Sequence, residues 1–351
     1  MGMAGAKKKL FLLVVASNTM LDELPPFMAN AGTYRRPMTI ALETIKLTKK
    51  YTTETGIEKL SFSIKQGSIL AYLGHNGAGK TTTIRTLLGL LKADSGDIKY
   101  FGNSYNTYSI AFDKIRREIG VCFDKPGFYP NLSAIENLTL FAQLYSMDNS
   151  EFITYTDYLL ERAELHGVKN KKIETYSSGM KQKLGIIRAI MHKPKLVFLD
   201  EPMNNLDPAA RVLVRNTICD LSKKEGVSFF IASHDLREIE QIATDIIILE
   251  KGKIKISGNL TDLQNRNSES IYDVAIDKQI TEDLARKICD ALKAVFINLN
   301  GKKITLNSKE ALTMTRVSED FNKFGCEVLG FNKQANSLEQ IYFSSLKTNE
   351  N

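Results

Sequence analysis

The stretch Gly74-His75-Asn76-Gly77-Ala78-Gly79-Lys80-Thr81 has residue types and spacing suited to holding phosphate groups. It fits GxxxxGK[ST]: glycines let the main chain wrap phosphate oxygens, amides at a helix start supply positive potential, and the lysine reaches the terminal phosphates. Thr81 offers a hydroxyl for Mg²⁺, and Thr82 is counted with the loop as nucleotide-binding. The motif occurs in many ATPase and GTPase families, so it establishes phosphate binding without choosing among them. Ser233-His234-Asp235 has the residue types of a hydrolase triad. Such triads are assembled in space from separated residues, and sequence neighbours are poorly placed for that.

The elements around the loop give it the context it needs. Ile69-Leu70-Ala71-Tyr72-Leu73 before it is a continuous apolar run, as in a strand covered on both faces, and residues 81–91 after it have helical apolar spacing. Upstream, Ile45 and Leu47, then Leu60, Phe62 and Ile64, alternate with polar residues as half-buried strands do. Residues 132–190 read as mostly helical, with Ser133 three residues ahead of Glu136 as a capping box. Short apolar runs at 196–199, 229–232 and 246–249, separated by helix-like stretches, imply a mainly parallel sheet. From residue 259 onward, strand-like 272–276, helical 282–292, strand-like 304–306, helical 309–324 and strand-like 327–331 suggest a small α/β unit. In it, Asn300-Gly301 suits a hairpin, and Ser337 starts a closing helix.

Composition sets outer limits. With 351 residues, 43% of them hydrophobic, the chain can bury one large core and a smaller second one. Its four cysteines form no CxxC pair and have no histidine at ligand spacing, which points to reduced thiols and no zinc site. The net charge of +7 is too diffuse to single out nucleic acid or a membrane surface. The longest wholly apolar run, residues 10–16, is far short of a membrane span. That run follows three lysines like the start of a secretory signal, but a nucleotide-binding phosphate loop outside the cell would lack its nucleotide. Residues 1–37 are read as a poorly ordered extension.

Further motifs follow in order. Tyr176-Ser177-Ser178-Gly179-Met180-Lys181-Gln182 resembles the signature motif of ATP-binding cassette (ABC) proteins, and Ser177 stands at an N-cap position from which hydroxyl and amides can address an anion. Leu196-Val197-Phe198-Leu199-Asp200-Glu201 is similar to the family's Walker B strand; the resemblance gives Asp200 to Mg²⁺ and Glu201 to the attacking water. Asn204-Asn205-Leu206-Asp207-Pro208 resembles the D-loop, with Asn205 in place of a glycine. His234 matches the switch histidine at the terminal phosphate, and Tyr51 the ring that stacks on adenine. The Q-loop glutamine position holds Asp124, which adds charge, lacks an amide donor and can still reach Mg²⁺ or a water.

The chain thus resembles ATP-binding subunits of ABC transporters, in particular the bacitracin and lantibiotic resistance type of exporter. The resemblance implies an α/β P-loop NTPase cassette over residues 38–258, with a mainly parallel sheet, an antiparallel β subdomain and a helical subdomain. Residues 259–351 form a small C-terminal α/β accessory domain. It implies an ATPase using ATP and Mg²⁺, working as a homodimer in which Ser177 and Gly179 of one copy meet nucleotide on the loop of the other. It also implies a separate transmembrane permease and a peripheral position on the cytoplasmic membrane face. The alternative is a non-transport cassette acting on nucleic acid or the ribosome. DNA-repair cassettes usually place a long coiled coil between loop and signature, and translation-associated ones carry two cassettes; Lys80 and Ser177 here lie within about 100 residues, and one cassette is present. No nucleic-acid partner is expected.

Overall fold

The computed structural model describes residues 39–52, 55–266, 270–333 and 337–347; the extension expected over residues 1–37 lies outside them. The central sheet has β3 (Ile69–Leu73), β6 (Ile119–Cys122), β7 (Leu196–Asp200), β8 (Ser228–Ser233), β9 (Asp245–Glu250) and β10 (Lys253–Asn259), ordered β10-β9-β3-β8-β7-β6. All neighbours pair in parallel except β10, which closes one edge antiparallel to β9. The continuous apolar runs have a clear cause. Strand side chains alternate between faces, and here each face meets its own core: Ile69, Ala71 and Leu73 enter one, Leu70 and Tyr72 the other. The same division separates Val197 and Leu199 from Leu196 and Phe198.

Parallel pairing also places the chemistry. Because β3, β8 and β7 are adjacent and parallel, the segments following Leu73, Ser233 and Asp200 all leave at one sheet edge. Beside the second core lies an antiparallel sheet of β1 (Ile40–Lys50), β2 (Gly56–Lys65), β4 (Ser95–Tyr100) and β5 (Asn103–Ser104), ordered β2-β1-β4-β5. It contributes Leu42, Leu47, Ile57, Leu60 and Ile64 to that core.

Helices α1 (Lys80–Leu87) and α2 (Phe112–Arg116) precede β6; α3 (Ala134–Leu144), α4 (Asn149–Arg162) and α5 (Ser178–Ile190) follow it. The capping box is present: Ser133 Oγ accepts from the Glu136 amide, and the Glu136 carboxylate accepts from the Ser133 amide at 2.7 Å. Helix α6 (Pro208–Glu225) starts at an Asp207 cap with proline in its first turn. The short helix α7 (Leu236–Glu240) and α8 (Leu260–Arg266) flank β9 and β10.

Beyond them lies β11 (Ser270–Ile276), α9 (Glu282–Ala291), β12 (Val295–Asn300), β13 (Lys303–Ser308), α10 (Met314–Lys323) and β14 (Val328–Lys333). Its antiparallel order β12-β13-β11-β14 is that of a ferredoxin-like βαββαβ unit, with a core of its own built on Val274, Ile288, Leu306 and Phe321. Two details differ from the sequence pattern. The Asn300-Gly301 hairpin turns on Gly301 and Lys302, with Asn300 paired to Lys303 and Gly301 at φ 62°. The helix expected over 309–324 starts only at Met314, because the Tyr272 hydroxyl takes the Leu312 amide at 3.1 Å and Thr313 caps the next turn. Helix α11 (Leu338–Lys347) ends the described chain.

Candidate functional site

A cleft of about 580 Å³ opens at the carboxyl edge of β3, β7 and β8, lined by Tyr51, His75, Asn76, Gly77, Gly79, Lys80, Thr81, Thr82, Asp124, Asp200, Glu201 and His234, with Thr55, Gly56 and Asn204. The loop after β3 is shaped by close approach. A Cβ on Gly74 would meet Leu249 O at 2.6 Å and Ala78 Cβ at 2.9 Å, while Gly77 and Gly79 have φ of 84° and 111°. No side chain caps α1 at Gly79, and its first turn holds no acid, which leaves the amides available to an anion. Lys80 is buried; its Nζ donates to Gly74 O at 2.7 Å and lies 3.6 Å from Glu201 Oε1. The Tyr51 ring is 56% exposed at the rim.

The acids are held with equal care. Thr81 Oγ1 donates to Asp200 Oδ2 at 2.9 Å. Burial raises the Asp200 pKa above the usual carboxylate range, with Glu201 and Asp124 pushing the same way and Thr81 and Lys80 opposing. Glu201, first residue beyond β7, has φ 51°, a left-handed conformation costing a non-glycine residue about 1–3 kcal/mol. Its Oε1 lies 2.9 Å from His234 Nδ1, and its Oε2 accepts from Ser233 Oγ at 3.3 Å and the His234 amide at 3.4 Å. Gln182 on α5, buried, donates to the Pro202 carbonyl at 3.4 Å and braces the same turn.

Asn204 was not singled out as a site residue by sequence; its Nδ2 donates to Asp124 Oδ1 at 3.0 Å, tying the segment after β7 to the one after β6. Nothing in an asparagine beside Asn205 signals that pairing. Asn205 has φ 61°, the left-handed conformation that suits asparagine in a glycine's place. Ser177 and Gly179 do not line this cleft. Ser177 caps α5, accepting from the Met180 amide at 3.1 Å, and Gly179 packs so closely that a Cβ would meet Asn205 O at 2.8 Å.

The family model "ABC transporter" matches residues 57–204. The bacitracin transport ATP-binding protein BcrA of Bacillus licheniformis is 41% identical over 230 residues, covering 66% of this chain and 73% of that protein. The chain belongs to the ABC transporter ATP-binding family. BcrA of Enterococcus faecalis is 34% identical over 312 residues, 88% of this chain and 97% of that protein, so the similarity runs on beyond the cassette. A solved ATP-binding subunit of an ABC transporter superposes with a TM-score of 0.59 at 30% identity, covering 64% of this chain and 92% of that one. The α/β P-loop cassette fold and an ATP-hydrolysing, nucleotide-binding role follow from this membership. ABC cassettes work as dimers with a separate permease. No helix among the described residues is long and apolar enough to cross a membrane.

Proposed function

We propose that this cassette powers export of a peptide antibiotic or another hydrophobic compound through a separate membrane subunit, from the cytoplasmic face of the membrane. The observation that carries the ATPase half is the continuous run Lys80–Glu201–His234, at 3.6 and 2.9 Å, in one cleft beneath a phosphate loop. The export half rests on the bacitracin transport relatives.

In this reading Tyr51 stacks on the base, the 74–82 loop holds the phosphates and Lys80 swings from the Gly74 carbonyl to the terminal phosphate. Glu201 polarises the attacking water, with Ser233 and His234 fixing the carboxylate's orientation. Its strained backbone is consistent with strain kept where function needs one geometry. Asp124, Asp200 and Glu201 line the cleft together with Lys80, and among the described residues no three such groups converge closely enough to hold a metal by themselves, which fits a cation whose remaining ligands come from the nucleotide's phosphates. Thr81, Asp200 and Asp124 would hold Mg²⁺, which supplies charge neutralisation on the phosphates. Ser177 and Gly179, outside this cleft, face the nucleotide of a second copy, and closure of the two copies couples hydrolysis to the permease. The longest helix between Lys80 and Ser177 is α4, 14 residues, which disfavours a coiled-coil chromosome ATPase.

The test is co-expression with the candidate permease in sensitive cells. Resistance to bacitracin or related compounds is expected with the parent chain and lost with Lys80→Ala. Unchanged sensitivity across peptide antibiotics and lipophilic drugs, with both proteins present, sinks the export reading.

A further inference from the structure

The accessory βαββαβ unit lies between α8 and α11 in sequence; α11 packs on the short helix α7 and on α8, and α8, seated on β10, reaches α7 through Gln264. Leu260 of α8 and Leu338 and Ile341 of α11 are buried in the cassette core beside Ile239 and Ile242. Glu240, the last residue of α7, joins all three helices through one atom: its Oε1 accepts from Gln264 Nε2 at 2.7 Å and from the Leu338 amide at 3.0 Å. Arg237 adds an ion pair to Glu339 at 3.0 Å, a small contribution because Arg237 is 81% exposed.

Helix α7 begins two residues beyond His234, with Asp235 between them as its cap. From the other side, Arg211 and Arg215 of α6 pair with Asp235 and Glu238. Five residues make barely more than one turn, which has little stability of its own, so its placement depends on what packs against it. A cavity of about 390 Å³ takes Gly74, His75 and His234 from the catalytic end and Glu339 and Tyr342 from α11.

We propose that α11 is a positioning strut for His234: by fixing α7 it sets where the imidazole stands against Glu201, so the accessory unit tunes turnover from outside the nucleotide cleft. The proposal rests on the assignment of His234 and Glu201 to hydrolysis. The βαββαβ unit is flanked in sequence by α8 and α11, and both of these helices bond Glu240 of α7. The phosphate loop has its own anchors in β3 and α1, so nucleotide affinity is spared.

The test uses the full chain, Leu338→Ala, Glu240→Ala and a chain ending at Lys333, each with and without His234→Ala. Turnover at saturating Mg·ATP is expected to fall about fivefold or more while KM stays within about twofold. In the His234→Ala background the same changes should cost nothing further, since both act through one group. The protein has four histidines, so ring NMR follows each: the His234 signal is expected to move in the α11 variants while His166 stays. A turnover loss that adds fully to that of His234→Ala, or an unmoved His234 signal, overturns the strut. If the shortened chain does not fold, Leu338→Ala and Glu240→Ala carry the same readouts. Should His234→Ala itself leave turnover intact, the assignment beneath the inference fails instead.

Discussion

His192, just beyond the end of α5, gives the protein a pH-sensitive stability that can be worked out in advance. Its ring stacks on Tyr145 at 3.8 Å between centroids and 4° between planes, its Nε2 lies 3.1 Å from Ile119 O, and its Nδ1 is buried with no hydrogen-bond partner. Burial, opposed only by that backbone contact, lowers its pKa from 6.5 to about 4. The unfolded chain therefore binds more protons than the native one between those values, so stability present above pH 6.5 is lost as pH falls toward 4. At about 1.4 kcal/mol per pH unit in that window, the loss between pH 7 and pH 5 is about 2 kcal/mol. The perturbation is His192→Phe, which keeps a ring beside Tyr145 and cannot titrate. Its missing bond to Ile119 O costs the same at both pH values and cancels. Urea unfolding of both chains at pH 7 and pH 5, followed by circular dichroism, should give the variant the flatter response by about 2 kcal/mol. Equal pH responses within about 0.5 kcal/mol would refute the reasoning.

Other expectations concern the cleft. Gly74→Ala puts a Cβ 2.6 Å from Leu249 O; the loop has to shift, and nucleotide titration should show affinity weakened about tenfold, with about 1–3 kcal/mol of stability lost. Asp124→Asn keeps the size of the side chain and removes one of the charges that raise Asp200. It should tighten nucleotide binding without Mg²⁺ by a few fold and raise the Mg²⁺ concentration needed for half-maximal turnover; the opposite pattern in both assays removes Asp124 from the cation site.

The sequence made the cassette's sheet legible because each central strand is buried on both faces and therefore apolar throughout; Ile69–Leu73 is the clearest case. The phosphate loop was legible for a related reason: its glycines and lysine answer to local geometry. The Ser133 capping box and the Ser337 start of α11 are also local, set within three residues. What the sequence hid depends on distant partners. The edge strand β12 leaves Val295 and Ile297 exposed and carries a register shift at Phe296/Asn298, so it lacks a clean alternation. The late start of α10 is decided by Tyr272, some 40 residues away, and the Asp124–Asn204 bond spans 80. The left-handed backbone of Glu201 is invisible in a residue type that rarely adopts it. The return of α11 to α7 joins residues about 100 apart through a glutamate whose acceptor role no spacing announces.

The most direct test of the nucleotide cleft is light scattering of purified Glu201→Gln with and without Mg·ATP. The variant should hydrolyse very slowly and become dimeric when Mg·ATP is added, and adding Lys80→Ala or Ser177→Ala to it should keep it monomeric. Hydrolysis at the parent rate by Glu201→Gln, or a nucleotide-loaded chain that stays monomeric, would contradict the account.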